Sequence, residues 1–226
     1  MGNNSQPITP EIIRRRFGID HKALARARMI VNYDSDRIRG QIEIVFSAVT
    51  KIFGQHLNGK KILELGCVDS ERGNRATLLE HFARYGATAY GVDLRRAHIP
   101  VELKGEMKFQ QGKIQELNKI FQGQKFDAVV SSNLLQEDAL SDAALNYVGA
   151  GERPNRDLLE ETLRTKPVLL EDIKRKLKPH GYFILQTGHG DPWFKWKELE
   201  QAGFKVLAFE RTHPTYYDII LIARLE

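Results

Sequence analysis

With 226 residues, 42% of them apolar and 28% charged, the chain is long enough to bury one α/β core and too apolar to be a disordered segment. Lys and Arg number 34 against 29 Asp and Glu, a net charge of +5 spread along the chain, which reads first as solvated surface charge. A nucleic-acid partner stays open, yet no zinc-ligand cluster, basic arm or RNA-binding aromatic signature supports one. No apolar run reaches the length of a membrane span, the N-terminus lacks a signal-peptide core, and Gln6 stands where a myristoylation signal wants Ser or Thr. Cys67 is the only cysteine, so an internal disulfide is impossible and the cytoplasm is the expected compartment.

Residues 1 to about 10 are polar with two prolines. From about Lys22 the pattern turns helical, and Ile38, Ile42, Val45, Val49 and Ile52 fall on one face of a helix that Gly54 and Asn58-Gly59 end. Residues 1–58 therefore read as a helical unit with many arginines. It is either a cap packed on the core or a lid over a cleft, with Tyr33 or Arg37 reaching inward. Lys61 to Leu65 is a short apolar strand with Glu64 near its end, followed by a sharp turn at Gly66 and a polar loop. A helix follows with Ala76, Leu79, Phe82 and Ala83 on one face and Gly86 as its stop, then a strand Thr88–Val92 that empties onto Asp93. Strand, glycine turn, helix, strand, acid is the layout of a nucleotide-binding βαβ unit, in which a carboxylate can accept both hydroxyls of a ribose.

A weaker strand, Glu106–Gln110, leads to Gly112–Leu117, and a strong one, Phe126–Ser131, leads to Ser132-Asn133-Leu134-Leu135-Gln136. Residues 137–166, with Gly149, Gly151 and Pro154, read as an excursion where a substrate loop would sit. The helix Val168–Lys178 stops at Pro179-His180-Gly181, Tyr182–Gln186 is a strand, and Trp196–Gln201 is a last helix. The strands Lys205–Phe209 and Asp218–Ala223 are joined closely enough to be antiparallel neighbours. The expected fold of residues 59–226 is thus a mainly parallel, doubly wound α/β sheet with helices on both faces. Its ligand wall runs through Gly66–Gly73, Asp93, Gly112–Gln115, Ser131–Gln136 and Thr187–Asp191, all at or beyond strand ends.

The order of these pieces resembles the class I S-adenosylmethionine-dependent methyltransferases. The likeness is carried by Ile62-Leu-Glu-Leu-Gly-Cys67, Tyr90-Gly-Val-Asp-Leu94, Phe126-Asp-Ala-Val-Val-Ser-Ser132, Leu177-Lys-Pro-His-Gly-Tyr-Phe-Ile-Leu185 and the ending after Leu199-Glu-Gln-Ala-Gly-Phe204. That resemblance implies a seven-stranded Rossmann-like sheet closed by an antiparallel hairpin, and S-adenosylmethionine as cofactor. It implies that the turn of Glu64, Gly66, Cys67 and Val68 holds the methionine part, and that Asp93 binds the ribose hydroxyls. Leu94 would lie near the adenine, Lys113 and Ile114 would flank the ring, and Ser131 and Ser132 would line the methionine side. The sequence departs from the family pattern where Val68 and Ser70 replace the second and third glycines of the first loop, and where Lys113 replaces an acid. A valine resists positive φ and adds bulk where the backbone would approach a ligand.

For chemistry, His189 in the loop with Asp191 could be a general base or an exposed loop histidine, and Asn133 could orient an acceptor. Trp193, Phe194 and Trp196 are either core or, through Trp193 beside Pro192, the lining of an acceptor pocket. His213, Tyr216 and Tyr217 lie in the final hairpin connection, and Cys67 reads as packing rather than as a nucleophile. Three readings follow: methyl transfer to a small-molecule acceptor, a catalytically silent binding or scaffold protein with a degenerate glycine loop, and an RNA methyltransferase using the basic N-terminal helices. A nicotinamide dehydrogenase fits less well, because Gly66-x-Val68-x-x-Glu71 breaks the dinucleotide pattern at two of its three glycines.

Overall fold

The computed structural model describes residues 41–68, 74–132, 134–135, 156–187, 192–211 and 219–226. Its elements run α1 (Gln41–Phe53), β1 (Lys61–Leu65), α2 (Thr77–Arg84), β2 (Thr88–Asp93), β3 (Met107–Gln111), β4 (Phe126–Ser132), α3 (Arg156–Lys176), β5 (Leu177–Thr187), α4 (Trp196–Gln201), β6 (Phe204–Arg211) and β7 (Ile219–Leu225). Short 3-10 turns at Val101–Leu103 and Ile114–Lys119 flank β3. The strands form one seven-stranded sheet in the order β3-β2-β1-β4-β5-β7-β6. All pairs are parallel except β5 with β7 and β7 with β6. This is the expected doubly wound sheet with its closing hairpin.

Side chains alternate across the strands, so each face has its own core. On one face Leu63, Leu65, Val129, Phe183 and Leu185 meet Leu169, Leu170 and Ile173 of α3, Leu117 of the second 3-10 turn and Leu199 of α4. On the other, Ile62, Ala128, Val130 and Ile184 meet Val45, Ala48 and Val49 of α1 and Leu78, Leu79 and Phe82 of α2. Val45, Ala48 and Val49 are wholly buried, so the periodic stripe of α1 faces the sheet. Each such valine stabilises the fold by about 1.5–3 kcal/mol relative to an exposed one. At the opposite end of the sheet from the candidate wall, Asp127 Oδ2 accepts the Lys61 N–H and the Lys178 ammonium, both at 2.8 Å. Burial alone would push the Asp127 carboxyl up, but these donors hold it below its ordinary value.

Two boundaries differ from expectation. α3 starts at Arg156 and carries Pro167 inside it, rather than starting after that proline. Proline removes its own N–H from the ladder and crowds the carbonyl four residues back, yet Pro167 sits on the exposed side and the helix face that packs on the sheet continues past it. At the other end the helix stops at Lys176, because Leu177 already pairs with Phe126. Pairing then shifts, resuming at Tyr182 opposite Ala128. Pro179-His180-Gly181, expected as the helix stop, is therefore a bulge within β5, and His180 takes up its extra length at φ 60°.

Gly181 makes that bulge possible. A Cβ there would lie 2.9 Å from the Lys178 carbonyl oxygen and 3.2 Å from that of Phe126, both backbone atoms that cannot swing aside. Gly181→Ala should lower unfolding stability by about 1–3 kcal/mol, the usual range for overpacking. A urea midpoint unchanged from wild type would refute this account of the bulge.

Candidate functional site

The sheet order reverses between β1 and β4, so the crevice beyond their carboxyl ends is where an open α/β sheet places its ligand. After Leu65 the chain turns at Gly66, which has φ +72° and donates its N–H to the Val92 carbonyl at 2.8 Å. The turn brings the Val68 N–H 2.9 Å from Asp93 Oδ2 at the end of β2, while the Arg95 N–H lies 2.9 Å from Asp93 Oδ1. Farther along, the Gly112 N–H donates to the Asp93 carbonyl at 2.9 Å, and Gln111 Nε2 to the Leu94 carbonyl at 2.8 Å. One carboxylate thus ties together the loops that follow β1 and β2. The backbone of the same residue holds the loop after β3.

The Val68 side chain is buried in the core shared with α1 and α2, and its φ is not in the left-handed region. The expected conflict at this position does not arise: the valine points into the core and offers its N–H to Asp93. Leu134, just beyond β4, packs on the Gly66 turn, its Cδ2 lying 2.5 Å from where a Gly66 Cβ would be. Cys67 Sγ likewise sits over Gly91, 2.7 Å from the position of a Cβ there. Burial first, then the neighbouring Glu64 and Asp93, push the Cys67 thiol far up, so at neutral pH it is a packed, protonated group.

Glu64 and Ser131, like Gln186 and Thr187, are polar groups buried under this end of the sheet. Glu64 is only 3% exposed, its Oε2 has no hydrogen-bond partner, and burial, reinforced by Asp93, pushes its carboxyl well above the ordinary range. Ser131 is fully buried at the end of β4, and its Oγ is also without a partner. Ser132 differs from it, because its Oγ donates to Gln186 Oε1 at 2.8 Å while Gln186 Nε2 donates to the Thr187 carbonyl at 2.7 Å. Gln186 is a positioning group that the sequence marked only as a polar end to an apolar strand. Leu134 lay within the expected Ser131–Gln136 wall, but nothing in the sequence showed that it packs on the Gly66 turn.

Of the residues singled out from sequence, Glu64, Gly66, Cys67, Val68, Asp93, Ser131 and Ser132 lie at the carboxyl ends of β1, β2 and β4 or just beyond them. Leu94 is exposed directly after Asp93, Lys113 is exposed after β3, and Ile114 is buried against Leu117. Asn133, His189 and Asp191, together with Asp69, Glu71, His213, Tyr216 and Tyr217, lie outside the described residues, as do Tyr33, Arg37 and the 137–155 part of the excursion. The aromatic cluster resolves as core: Trp193, Phe194 and Trp196 are each 4% exposed or less. The Trp193 and Phe194 rings pack at 5.2 Å with a 46° tilt, and the burial of Trp193 places it in the core rather than on an open wall. Among the described residues no group of His, Cys, Asp and Glu is placed to hold a metal, and no helix is long and apolar enough to cross a membrane.

The donor and acceptor set suits an adenosyl compound. Each Asp93 oxygen uses one lone pair on a backbone N–H and keeps another for a ribose hydroxyl. Glu64 Oε2 and Ser131 Oγ remain unpartnered. Comparison with known proteins points the same way. A family model described as a methyltransferase domain matches residues 56–207. Among solved structures, the chain is similar to 1,6-didemethyltoxoflavin-N1-methyltransferase of Burkholderia thailandensis, solved with S-adenosylhomocysteine, at 15% identity and a TM-score of 0.57, covering 98% of this chain and 92% of that one. It is also similar to a TehB-like SAM-dependent methyltransferase from Corynebacterium glutamicum, at 16% identity and TM-score 0.51, covering 84% and 89%. The cyclase SpnF matches at 15% identity and TM-score 0.50, covering 80% and 81%, so the fold alone does not dictate the reaction. No curated protein matches the chain at a significant level.

The raised Glu64 carboxyl has a consequence for stability. Its neutral form is the one the fold accommodates, so that contribution is full below the ordinary glutamate value of about 4.3 and is lost as pH rises through the folded value. Glu64→Gln should therefore gain stability over wild type as pH rises from about 4.3, by at most about 1.4 kcal/mol per pH unit, before levelling off. Urea midpoints of both proteins from acid to neutral pH measure this, and a gap that stays constant with pH would contradict it.

Proposed function

The chain belongs to the methyltransferase-domain family whose model spans residues 56–207, and we propose that it moves a methyl group from S-adenosylmethionine to a small-molecule acceptor. The observation that carries this reading is the double grip of Asp93 on the Val68 and Arg95 N–H groups. It fixes the glycine turn and the ribose-binding carboxylate relative to each other before any ligand arrives. When bound, the cofactor supplies a methyl already activated by its sulfonium, so what remains for the protein is to hold the reactants in line and exclude water.

In this reading Asp93 accepts the ribose hydroxyls through its remaining lone pairs. Leu94, Lys113 and Ile114 frame the adenine. The turn of Glu64, Gly66, Cys67 and Val68 holds the methionine portion, with Ser131 and Ser132 on the far side. The buried Glu64 carboxyl favours a positively charged neighbour, since a nearby cation offsets the cost of ionising it. His189 takes the acceptor's proton and Asn133 orients the acceptor. Residues 1–58 act as the cap or lid over residues 59–226, and 137–166 supplies the acceptor side. The small acceptor is supported by the relative from Burkholderia thailandensis, solved with 1,6-didemethyltoxoflavin bound. A single buried cysteine with no disulfide partner accords with a cytoplasmic setting.

Calorimetric titration with S-adenosylhomocysteine tests the reading. Wild type should bind, and Asp93→Ala should bind about 10- to 100-fold more weakly, the loss expected for hydrogen bonds to a charged group. Absence of heat in both proteins would leave the fold without its cofactor. Binding without methyl transfer across broad acceptor pools would favour the silent scaffold instead.

A further inference from the structure

A second concavity lies away from the crevice at β1 and β4. It has a volume of about 680 Å³ and is lined by Asn74, Arg96, Ala97, His98, Ile99, Lys104 and Phe109. Two loops and an edge strand build it. The chain before α2 and the chain after β2 run together as a short parallel bridge, Arg75 to His98, where the His98 N–H donates to the Asn74 carbonyl at 2.8 Å. β3 is the outermost strand on this side, and Phe109 from it joins half-buried Ala97 and Ile99 against the core of the α2 face.

The charges around this cavity are unusual for their surroundings. Nearby arginines are matched: Arg75 forms a two-pronged ion pair with buried Glu80, and Arg84 pairs with Glu102 at 3.1 Å. Among the described residues, Arg96, His98 and Lys104 have no side-chain hydrogen bond or ion pair, and none that lines the cavity is acidic. Arg96 and Lys104 bring two positive charges to a concavity whose described lining carries no counter-charge, and an anion placed there relieves their repulsion. The floor is different in kind, since Phe109, Ile99 and Ala97 present apolar surface that a bare inorganic anion would leave wet. A ligand matching both parts has a flat apolar body that covers the floor and an anionic group that meets the rim.

We propose that this cavity is a binding site for a small organic anion, a flat apolar body bearing a phosphate or carboxylate. Arg96, Lys104 and His98 hold the anionic group, and Phe109 with Ile99 holds the body. The site is separate from the adenosyl crevice: it lies on the α2 side of the loop that leaves β2, whereas the crevice opens beyond the ends of β1 and β4.

Phenyl phosphate is a suitable probe because it carries both parts and has no adenosine to enter the other site. Binding is followed by calorimetry at low salt, with inorganic phosphate and phenol as the separate halves. Phenyl phosphate should bind at least about tenfold more tightly than either half. The doubly substituted Arg96→Ala/Lys104→Ala protein, altered only at exposed side chains, should lose at least about tenfold of that affinity. S-adenosylhomocysteine titrated into the same variant reports separately on the crevice and should be unaffected, and the melting temperature reports on folding. The proposal is overturned by absence of binding, by inorganic phosphate binding as well as phenyl phosphate, or by equal affinity in the variant. It is equally overturned if single-stranded RNA binds through Arg96 and Lys104 while phenyl phosphate does not, since the patch would then be a macromolecular contact.

Discussion

The carboxylate of Asp93 is the joint on which the ligand end of this sheet depends. Parallel strands leave their following loops unsupported at the carboxyl edge, where backbone N–H groups have passed beyond the ladder and need other partners. Here one side chain supplies two of those partners, Val68 from the first loop and Arg95 from the second, while its own carbonyl takes Gly112 from the third. Hydrogen bonds from N–H to an ionised oxygen are roughly twice as strong as neutral ones. Three separate crossovers are therefore brought to one point by a single residue, and any ligand spanning them meets a surface already assembled.

That arrangement also explains how a loop with a valine in place of glycine remains compatible with the site. The usual role of a second glycine is to let the backbone come close to a ligand without a side chain in the way. In this chain the Val68 side chain turns inward to a core that contains Cys67, Leu79 and Ala76, and its N–H faces the carboxylate. A glycine would be needed only if the position had positive φ or if its Cβ pointed outward. Neither condition holds, so the departure from the family pattern changes what fills the core more than what faces the cleft.

The order of strands and helices was legible in the chain because apolar runs of four to seven residues, ended by Gly66, Asp93 and Gly86, leave little choice of period. The elements misplaced are those where local signals and tertiary packing disagree. Pro167 reads as a helix boundary, yet its ring stays exposed while Leu169, Leu170 and Ile173 carry the packing. Pro179-His180-Gly181 reads as a stop, yet Phe126 has already captured Leu177 into the sheet and only a bulge can absorb the excess. In the candidate site the carboxylate at residue 93 was visible, because an acid ending an apolar strand is a strong pattern. Its partners were not, because backbone N–H donors leave no mark in a sequence. Trp193 was open between core and pocket wall in the sequence, and its burial, with its backbone N–H on the Leu135 carbonyl at 3.0 Å, decides for the core.

Unpartnered buried atoms do not by themselves mark a site, since Asp172 Oδ2, Trp196 Nε1, Glu210 Oε1 and Arg224 Nε share that condition with Glu64 and Ser131. Each costs on the order of 1–3 kcal/mol, so the fold tolerates several such deficits distributed over the sheet and its helices. What separates Glu64 and Ser131 is position. They occupy β1 and β4, the adjacent strands at which the strand order reverses, and Glu64 lies close enough to Asp93 for that carboxylate to raise the Glu64 carboxyl further. A buried carboxyl with a free oxygen is costly to ionise, and a cation brought near it offsets that cost where a neutral ligand does not. The dinucleotide reading falls short on the same ground as its broken glycine pattern: a pyrophosphate brought to this turn would meet repulsion where a sulfonium and an ammonium meet attraction.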